Sequence, residues 1–148
     1  MSAVANAYIR DDEADIRITV DGVEYGDGNS WYSYSGAALT ASGSKTRAGG
    51  MGPEYETGSF ATRGNATLTT QNSDSMIAQH PTLEGRVGKG DVVITITWLD
   101  HEGNVRTGAG AQFTVTGKLL GASHPGGNTG SADQGMYTVT VGCDEVAG

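Results

Sequence analysis

Two pairs of residues have the types and spacing that covalent or acid–base catalysis uses. Ser42 and Lys45 match the Ser-x-x-Lys string of enzymes in which a serine is the nucleophile. That chemistry needs the serine at the start of a buried helix and two partner motifs, whereas Ser42 lies in a Gly-rich stretch of a chain of 148 residues. Glu54 and Glu56 superficially resemble a glycosidase acid–base pair, but nothing around them suggests a sugar cleft. The sequence therefore predicts that the protein is not an enzyme.

The residues that could bind a metal ion are few and scattered. The single cysteine, Cys143, excludes a disulfide within the chain and any Cys-rich metal spacing. The histidines lack the i, i+4 or paired spacing of a zinc site; they are His80, His101 and His124. One turn carries oxygen ligands that could hold calcium outside an EF-hand pattern, namely Asp21, Glu24, Asp27 and Asn29. We expect no cofactor and no bound metal, with calcium at this turn as the alternative.

Length and composition predict one domain, residues 1–148, with a thin core. Only 36% of the residues are hydrophobic and 24 are glycine. A small core without a disulfide can gain stability by oligomerisation. A net charge of −8, without clusters of Lys and Arg, argues against specific binding of DNA or RNA. No basic and apolar leader begins the chain and no run approaches ~20 apolar residues, so we expect a protein made in a cytoplasm that needs no membrane.

Alternation of apolar and polar residues predicts β-strands along most of the chain. In the strongest strand, Val92, Ile94, Ile96 and Trp98 form one face. The predicted strands cover residues 15–20, 23–25, 31–34, 66–70, 91–99, 105–107, 111–120 and 136–143. Their polar face is rich in threonine, at positions Thr19, Thr95, Thr97, Thr114, Thr116, Thr138 and Thr140. Such a face suits either a solvated sandwich or strands that line a water-filled channel built from several subunits.

One segment breaks the alternation and predicts a short helix. Ser73 is a good N-cap residue, and Met76 has a plausible apolar partner at Leu83. Pro81 should end or interrupt this helix, and Gly85 lies near its limit. Strands with one inserted helix, and no βαβ alternation, predict an all-β fold: an antiparallel β-sandwich or partly open barrel with long Gly-rich loops.

Between Leu39 and Leu68 the chain has no periodic apolar pattern, and residues 42–63 form a long loop within this stretch. Ordering so long a connection costs about 1–2 kcal/mol per residue, so a compact domain rarely keeps one without a use. We expect a neighbouring copy of the same protein to hold this long inter-subunit loop. A second Gly-rich loop covers residues 121–135, and residues 1–13 form an N-terminal arm.

The order of these elements resembles that of the tail tube (major tail) proteins of long-tailed bacteriophages and the related tube subunits of contractile injection systems. A strand hairpin precedes the long loop with Lys45 and Arg47, and a returning strand and the short helix follow. The segment 83–91, the strand 92–99, a turn with Gly103 and a closing strand pair complete the order. The resemblance implies a β-sandwich of the tail-tube type.

The same resemblance implies a structural virion protein that self-assembles into stacked hexameric rings. These rings form the hollow tail tube through which DNA passes without specific binding. The long loop of such a subunit reaches the next ring, with inter-subunit contacts expected at Lys45, Arg47, Tyr55, Phe60 and Arg63. The implied partners are other copies and the tape measure, tail terminator and tail tip proteins. The implied location is the virion tail, after synthesis in the host cytoplasm.

Two alternatives remain from the sequence. The first is another virion β-protein, such as a capsid decoration protein, a head–tail connector or a tail terminator. The second is a monomeric carbohydrate- or calcium-binding β module, for which Trp31, Tyr32 and Tyr34 are the candidate aromatic patch. Self-association separates the first from a tube subunit, because a tube subunit polymerises by itself. Alternation would bury part of the aromatic patch that the second requires.

Overall fold

A computed structural model describes residues 8–36, 39–47 and 54–147, and gives only the backbone for residues 40–47 and 54–62. Seven antiparallel strands form one sheet in the order β2-β1-β7-β8-β9-β6-β3, which is not closed into a barrel. This arrangement confirms the predicted all-β class with one helix. The elements are a 3₁₀ turn (Asp11–Glu13), β1 (Ala14–Val20), β2 (Val23–Tyr25), β3 (Ser33–Ser35), β4 (Leu39–Arg47), β5 (Glu54–Arg63), β6 (Asn65–Gln71), α1 (Asp74–Glu84), β7 (Asp91–Trp98), β8 (Gln112–Ser123) and β9 (Met136–Ala147).

The core lies on one face of the seven-stranded sheet. Strand β1 pairs with β7 in a register that sets Ile16 opposite Ile96 and Ile18 opposite Ile94, so apolar residues stand side by side across strands. The predicted apolar faces of these strands are confirmed. The other buried apolar residues are Val20, Tyr25, Trp31, Ala66, Leu68, Met76, Leu83, Val92, Val115, Leu119, Tyr137, Val139, Val141 and Cys143.

The sheet curls around this core, and the chain near Trp31 crosses between its two edges. The Trp31 N–H donates to the Ile16 carbonyl of β1 at 2.9 Å. Three residues later Tyr34 pairs with Leu68 of β6, at the other edge of the sheet. The Trp31 indole N–H donates to the Tyr25 carbonyl at 3.1 Å, which fixes the buried ring. This crossing brings both ends of the strand order together without closing a barrel.

Helix α1 covers the open side of the core. The Ser73 hydroxyl accepts the Met76 N–H at 3.3 Å, which confirms the predicted N-cap. Met76 and Leu83, seven residues apart on one helical face, are both buried. The expected interruption at Pro81 is wrong, because α1 continues through Pro81 to Glu84. Burial of Leu83 offsets the backbone hydrogen bond that proline cannot donate.

A side-chain amide ties the helix to the first hairpin. Gln79 accepts the Gly26 N–H at 2.8 Å and donates to the Gly26 carbonyl at 2.9 Å. The amide thus replaces a strand partner for the residue that follows β2. No helix in the described part of the chain is long and apolar enough to span a membrane.

Candidate assembly surfaces

The segment expected to be an irregular inter-subunit loop is a two-stranded antiparallel ribbon of β4 and β5. Its register sets Lys45 opposite Glu56 and Arg47 opposite Glu54. Two strands that pair with each other each keep one unpaired edge, and such edges can pair with another chain. The ribbon also contains Tyr55 and Phe60, both in β5. Their side chains, like those of Lys45 and Arg47, are outside the part of the chain that the structure describes, so their predicted contacts stay predictions.

Arg63 is the predicted contact residue whose side chain is described, and it lies at the foot of the ribbon opposite Leu39. The next residue, Gly64, accepts the Cys143 N–H at 3.2 Å, which anchors the foot to β9. Burial raises the pKa of the Cys143 thiol, and the nearby Arg63 charge works against that rise. Arg63 is half-buried. Its predicted inter-subunit contact stays a prediction.

The sheet face opposite the core carries the predicted row of threonines. The β1–β7 register brings Thr19 beside Val93 and Arg17 beside Thr95, and the β7–β8 register sets Thr95 opposite Thr114. Most of the threonines on this face are half-buried, so the face is wet but constrained. It also carries two basic residues and at least four acidic ones: Arg17 and Lys118, with Asp15, Glu24, Asp91 and Glu145.

Ion pairs on this threonine face neutralise its basic residues. Arg17 donates to Asp15 at 3.1 Å and lies 3.6 Å from Glu24. Lys118 pairs with Asp91 on the neighbouring strand, and this pairing raises the pKa of Lys118. Both cations are therefore engaged by carboxylates of the same face, and the net charge of the face is negative.

The seven-stranded sheet has two free edges among its described strands. Strand β2 pairs only with β1, and β3 pairs only with β6. Each edge strand has three residues, a length that limits uncontrolled pairing with other chains. Each edge strand therefore has one side without a partner strand among the described residues.

The aromatic patch expected for a carbohydrate-binding module is divided between core and surface. Trp31 is 2% exposed, whereas Tyr32 is 71% exposed. Tyr34 is half-buried, and burial raises its pKa. Tyr32 and Tyr34 line an open apolar cavity of about 270 Å³. We call this cavity the aromatic groove; its lining includes Ile16, Tyr32, Tyr34, Ile96, Trp98 and Phe113.

The acidic residues proposed as calcium ligands have separate partners. Asp21 accepts the Asp91 N–H at 3.1 Å and the Arg86 guanidinium N–H at 2.6 Å, and these bonds lower its pKa. Asp27 accepts the Asn29 N–H at 3.0 Å within the turn. Within the described residues no group of three or more His, Cys, Asp or Glu is arranged to hold a metal ion.

Hydrogen bonds link Glu84, His80 and Tyr137 in a row that joins α1 to β9. The spacing of these residues in the sequence did not reveal the row. The His80 Nδ1 lies 2.5 Å from the Tyr137 hydroxyl, and its Nε2 lies 2.8 Å from a Glu84 carboxylate oxygen. The His124 ring packs edge-on against His80, with 4.6 Å between ring centroids. Burial, with a smaller contribution from the Glu84 charge, raises the pKa of Tyr137 to about 12. Tyr137 therefore stays a neutral phenol, and the row fixes the helix on the sheet.

A buried carboxylate holds the point where the N-terminal arm enters the domain. Glu13 accepts the Arg10 N–H at 2.9 Å, and its own N–H donates to the Arg10 carbonyl at 3.0 Å. Arg106 and His101 contact the same carboxylate at 2.9 and 3.1 Å. The hydrogen bond from the Arg10 backbone N–H is the main reason why the pKa of Glu13 is lowered. Residues 10–13 therefore form a closed turn with a fixed exit.

Comparison with known proteins finds likeness at the level of structure. No family model matches the sequence, and no curated protein matches it. A chain from the PVC sheath–tube complex of an extracellular contractile injection system, in the extended state, superposes with a TM-score of 0.64 at 17% identity. That alignment covers 97% of this chain and 92% of the other.

Two chains from the anti-feeding prophage give similar values. One belongs to its tube terminating cap, with a TM-score of 0.62 at 16% identity over 99% of this chain and 94% of the other. One belongs to its baseplate, with a TM-score of 0.63 at 14% identity over 99% and 96%. At such identities the likeness establishes the fold. The expected tail-tube type of β fold is therefore confirmed.

Proposed function

We propose that this protein is a structural subunit that self-assembles into stacked hexameric rings, which form the hollow tube of a phage tail. One observation carries the proposal: the fold matches chains of tube-containing particles over nearly the full length of both aligned chains. The open sheet edges, the separate ribbon and the thin core favour a subunit that is completed by its neighbours. In this proposal the protein acts as a non-enzymatic component of a particle.

The charge of the ribbon supports its role as the inter-subunit contact. Residues 39–63 carry three basic and two acidic side chains, whereas the remainder of the chain carries six basic and fifteen acidic ones. A weakly positive ribbon is therefore attracted to the acidic body of a neighbouring copy. Lys45, Arg47, Tyr55, Phe60 and Arg63 supply its contacts in this proposal. Since these contacts involve exposed charges, we expect ring stacking to weaken as ionic strength rises.

The threonine face lines the bore in this proposal. Its cations are paired with carboxylates and its net charge is negative, so passing DNA meets few free positive charges. Each phosphate that a protein neutralises adds affinity through counterion release, and a bore without free cations lets DNA slide. We therefore expect negative potential along the bore. A solved tube whose bore is lined with arginine or lysine would contradict this part of the proposal.

Tape measure, tail terminator and tail tip proteins are the further partners that a tail tube subunit requires. The proposal places the assembled protein in the virion tail, after synthesis in the host cytoplasm. It needs no cofactor and no membrane. Co-purification of this protein with intact tails would support the location.

The first experiment is negative-stain electron microscopy of the purified protein over a concentration series, with light scattering alongside. We expect stacked rings or hollow tubes with a central pore. A protein that stays monomeric at every concentration, and also when tail-tip complexes are supplied as initiators, would refute the proposal.

A ribbon truncation tests which part of the subunit joins the rings. Ala41 and Ala61 are directly opposite each other, so an Asn-Gly turn can replace residues 42–60 and close the shortened ribbon. We expect an unchanged thermal midpoint for the monomer and loss of tubes. Tubes of normal length from the truncated protein would exclude the ribbon as the joining element.

A charge reversal refines this test. Arg47→Glu changes the ribbon charge by two units, and Lys89→Glu makes the same change at an exposed turn of the body. We expect Arg47→Glu to raise the concentration needed for tube formation about tenfold, on the order of 1.4 kcal/mol per contact. Lys89→Glu should leave that concentration nearly unchanged. Equal effects of the two variants would mean that net charge alone controls assembly.

A tail terminator is the second candidate, because one structural match is a chain from a tube terminating cap. A terminator forms one closed ring and stops there. Electron microscopy separates the two functions: single rings at all concentrations favour the terminator, and stacks that lengthen with concentration favour the tube subunit.

A further inference from the structure

The aromatic groove is an apolar surface that its own domain leaves open. Strands β1, β7 and β8 supply Ile16, Ile96, Trp98 and Phe113 to its floor, and Tyr32 stands at its rim. Trp98, Phe113 and Tyr34 are only half-buried there. A volume of about 270 Å³ far exceeds the ~30 Å³ share of one water molecule, so whole side chains fit. Covering these rings with apolar atoms would be favourable.

The N-terminal arm has the composition that such a groove binds. Residues 1–9 read Met-Ser-Ala-Val-Ala-Asn-Ala-Tyr-Ile, and the first charged side chain of the chain is Arg10. Tyr8 is 89% exposed and Ile9 is 48% exposed. Nine uncharged residues with two exposed large apolar side chains stand out in a protein of net charge −8.

The described end of the arm, residues 8–13, meets the domain at the groove. Asp11 lines the groove, and Tyr8, three residues earlier, is almost fully exposed. The turn closed by Glu13 and Arg106 fixes the direction in which the chain arrives at Asp11. The described part of the arm therefore begins at the rim of the groove, and its Tyr8 side chain is left exposed there.

We propose that residues 1–9 of one copy occupy the aromatic groove of a second copy, with Tyr8 against Tyr32 and Phe113. The inference rests on the proposed self-assembly and adds a contact separate from the ribbon. An arm that inserts into a groove is a head-to-tail contact, which leaves a free arm and a free groove for the next copy. One arm is too small an interface for a stable dimer by itself, so it acts together with the ribbon in the assembly.

Site-directed cross-linking in the assembled protein tests this contact. In a Cys143→Ser background, one tagged copy carries Tyr8→Cys and an untagged copy carries Tyr32→Cys. We expect a short bis-maleimide to join tagged to untagged chains in mixed assemblies. Ile77→Cys, on an exposed position of α1, replaces Tyr32→Cys in the matched control and should give few cross-links. In a single chain that carries both cysteines, a link within the chain would overturn the proposal, because the arm would then occupy the groove of its own chain.

A second measurement uses assembly itself. We expect removal of residues 1–9, or Tyr32→Asp at the exposed rim, to raise the concentration needed for assembly at least fivefold. Ile77→Asp is the control for an equal change at an exposed apolar residue. Normal assembly of the truncated protein, together with absent cross-links, refutes the arm contact while the tube function stands. A protein that forms no tube under any condition, with or without an initiator, refutes the proposed function itself.

Discussion

Gly117 lies at an irregularity in the pairing of β8 and β9, the two longest strands of the sheet. It pairs with Cys143, and the β8–β9 register shifts between Thr116 and Gly117. A Cβ atom added to Gly117 would lie 2.1 Å from the Gly142 carbonyl oxygen and 2.9 Å from its carbon. Both contacts are with backbone, so no side chain can rotate to relieve them. The strands can follow this irregular register only because residue 117 has no side chain.

We expect Gly117→Ala to destabilise the monomer by about 2–3 kcal/mol. The carbonyl must move by about 1 Å before the contact becomes tolerable, and overpacking of this kind costs about 1–3 kcal/mol, or more where backbone must shift. The φ angle of Gly117 is outside the left-handed region, so alanine can adopt it. Alanine also restricts the unfolded chain, which offsets about 0.4–1 kcal/mol of the lost stability. Against a total stability of roughly 5–15 kcal/mol this is a large loss.

Gly121→Ala provides the matched control on the same strand. Gly121 also pairs with β9, but its added Cβ would meet only the Thr140 Cβ at 3.9 Å, an ordinary contact. We expect Gly121→Ala to be neutral, or to stabilise by about 0.4–1 kcal/mol. Urea denaturation followed by tryptophan fluorescence, below the assembly concentration, measures both variants. Equal stability of the two variants would refute the close approach of β8 and β9.

Three further substitutions test other parts of the structure. Leu68→Ala removes a fully buried side chain from β6, and we expect urea denaturation to show a loss of about 2–5 kcal/mol. Tyr137→Phe removes the hydroxyl that bonds to His80, at a cost of about 1 kcal/mol, and spectrophotometric titration should lose the phenol that ionises near pH 12. The pKa of Glu13 is lower in the folded than in the unfolded protein, so its stabilisation is complete above its unfolded pKa and is lost as pH falls through its folded pKa. Acid denaturation of Glu13→Gln should therefore show a weaker loss of stability as pH falls below the unfolded pKa of a glutamate.

The long strands of the main sheet could be predicted from the sequence because each of them buries one face. The alternation of Val92, Ile94 and Ile96 reports directly that alternate side chains meet the core. The helix could be located from its cap and its buried pair, and its C-cap is Gly85, as expected, but its passage through Pro81 could not be predicted. Pro81 predicts an interruption from local chemistry alone, whereas burial of Leu83 is a tertiary effect that outweighs it.

The ribbon could not be predicted because it forms no part of the seven-stranded core sheet. A strand is predicted from alternating apolar residues, and residues 42–63 show no apolar period. The buried Glu13 carboxylate was missed because its main side-chain partner, Arg106, is 93 residues away in the sequence. The contact of His80 with His124 was missed because the two histidines are also far apart in the sequence.

The features that the single domain leaves unexplained have one property in common. The ribbon pairs only with itself among the described strands, each edge strand has one free side, and Tyr8 is exposed beside an apolar groove. Each of them is a surface that a second copy of the chain would cover in the proposed assembly. A binding module would leave one such surface for its ligand. This chain carries several such surfaces, which is what the proposed assembly of many copies requires.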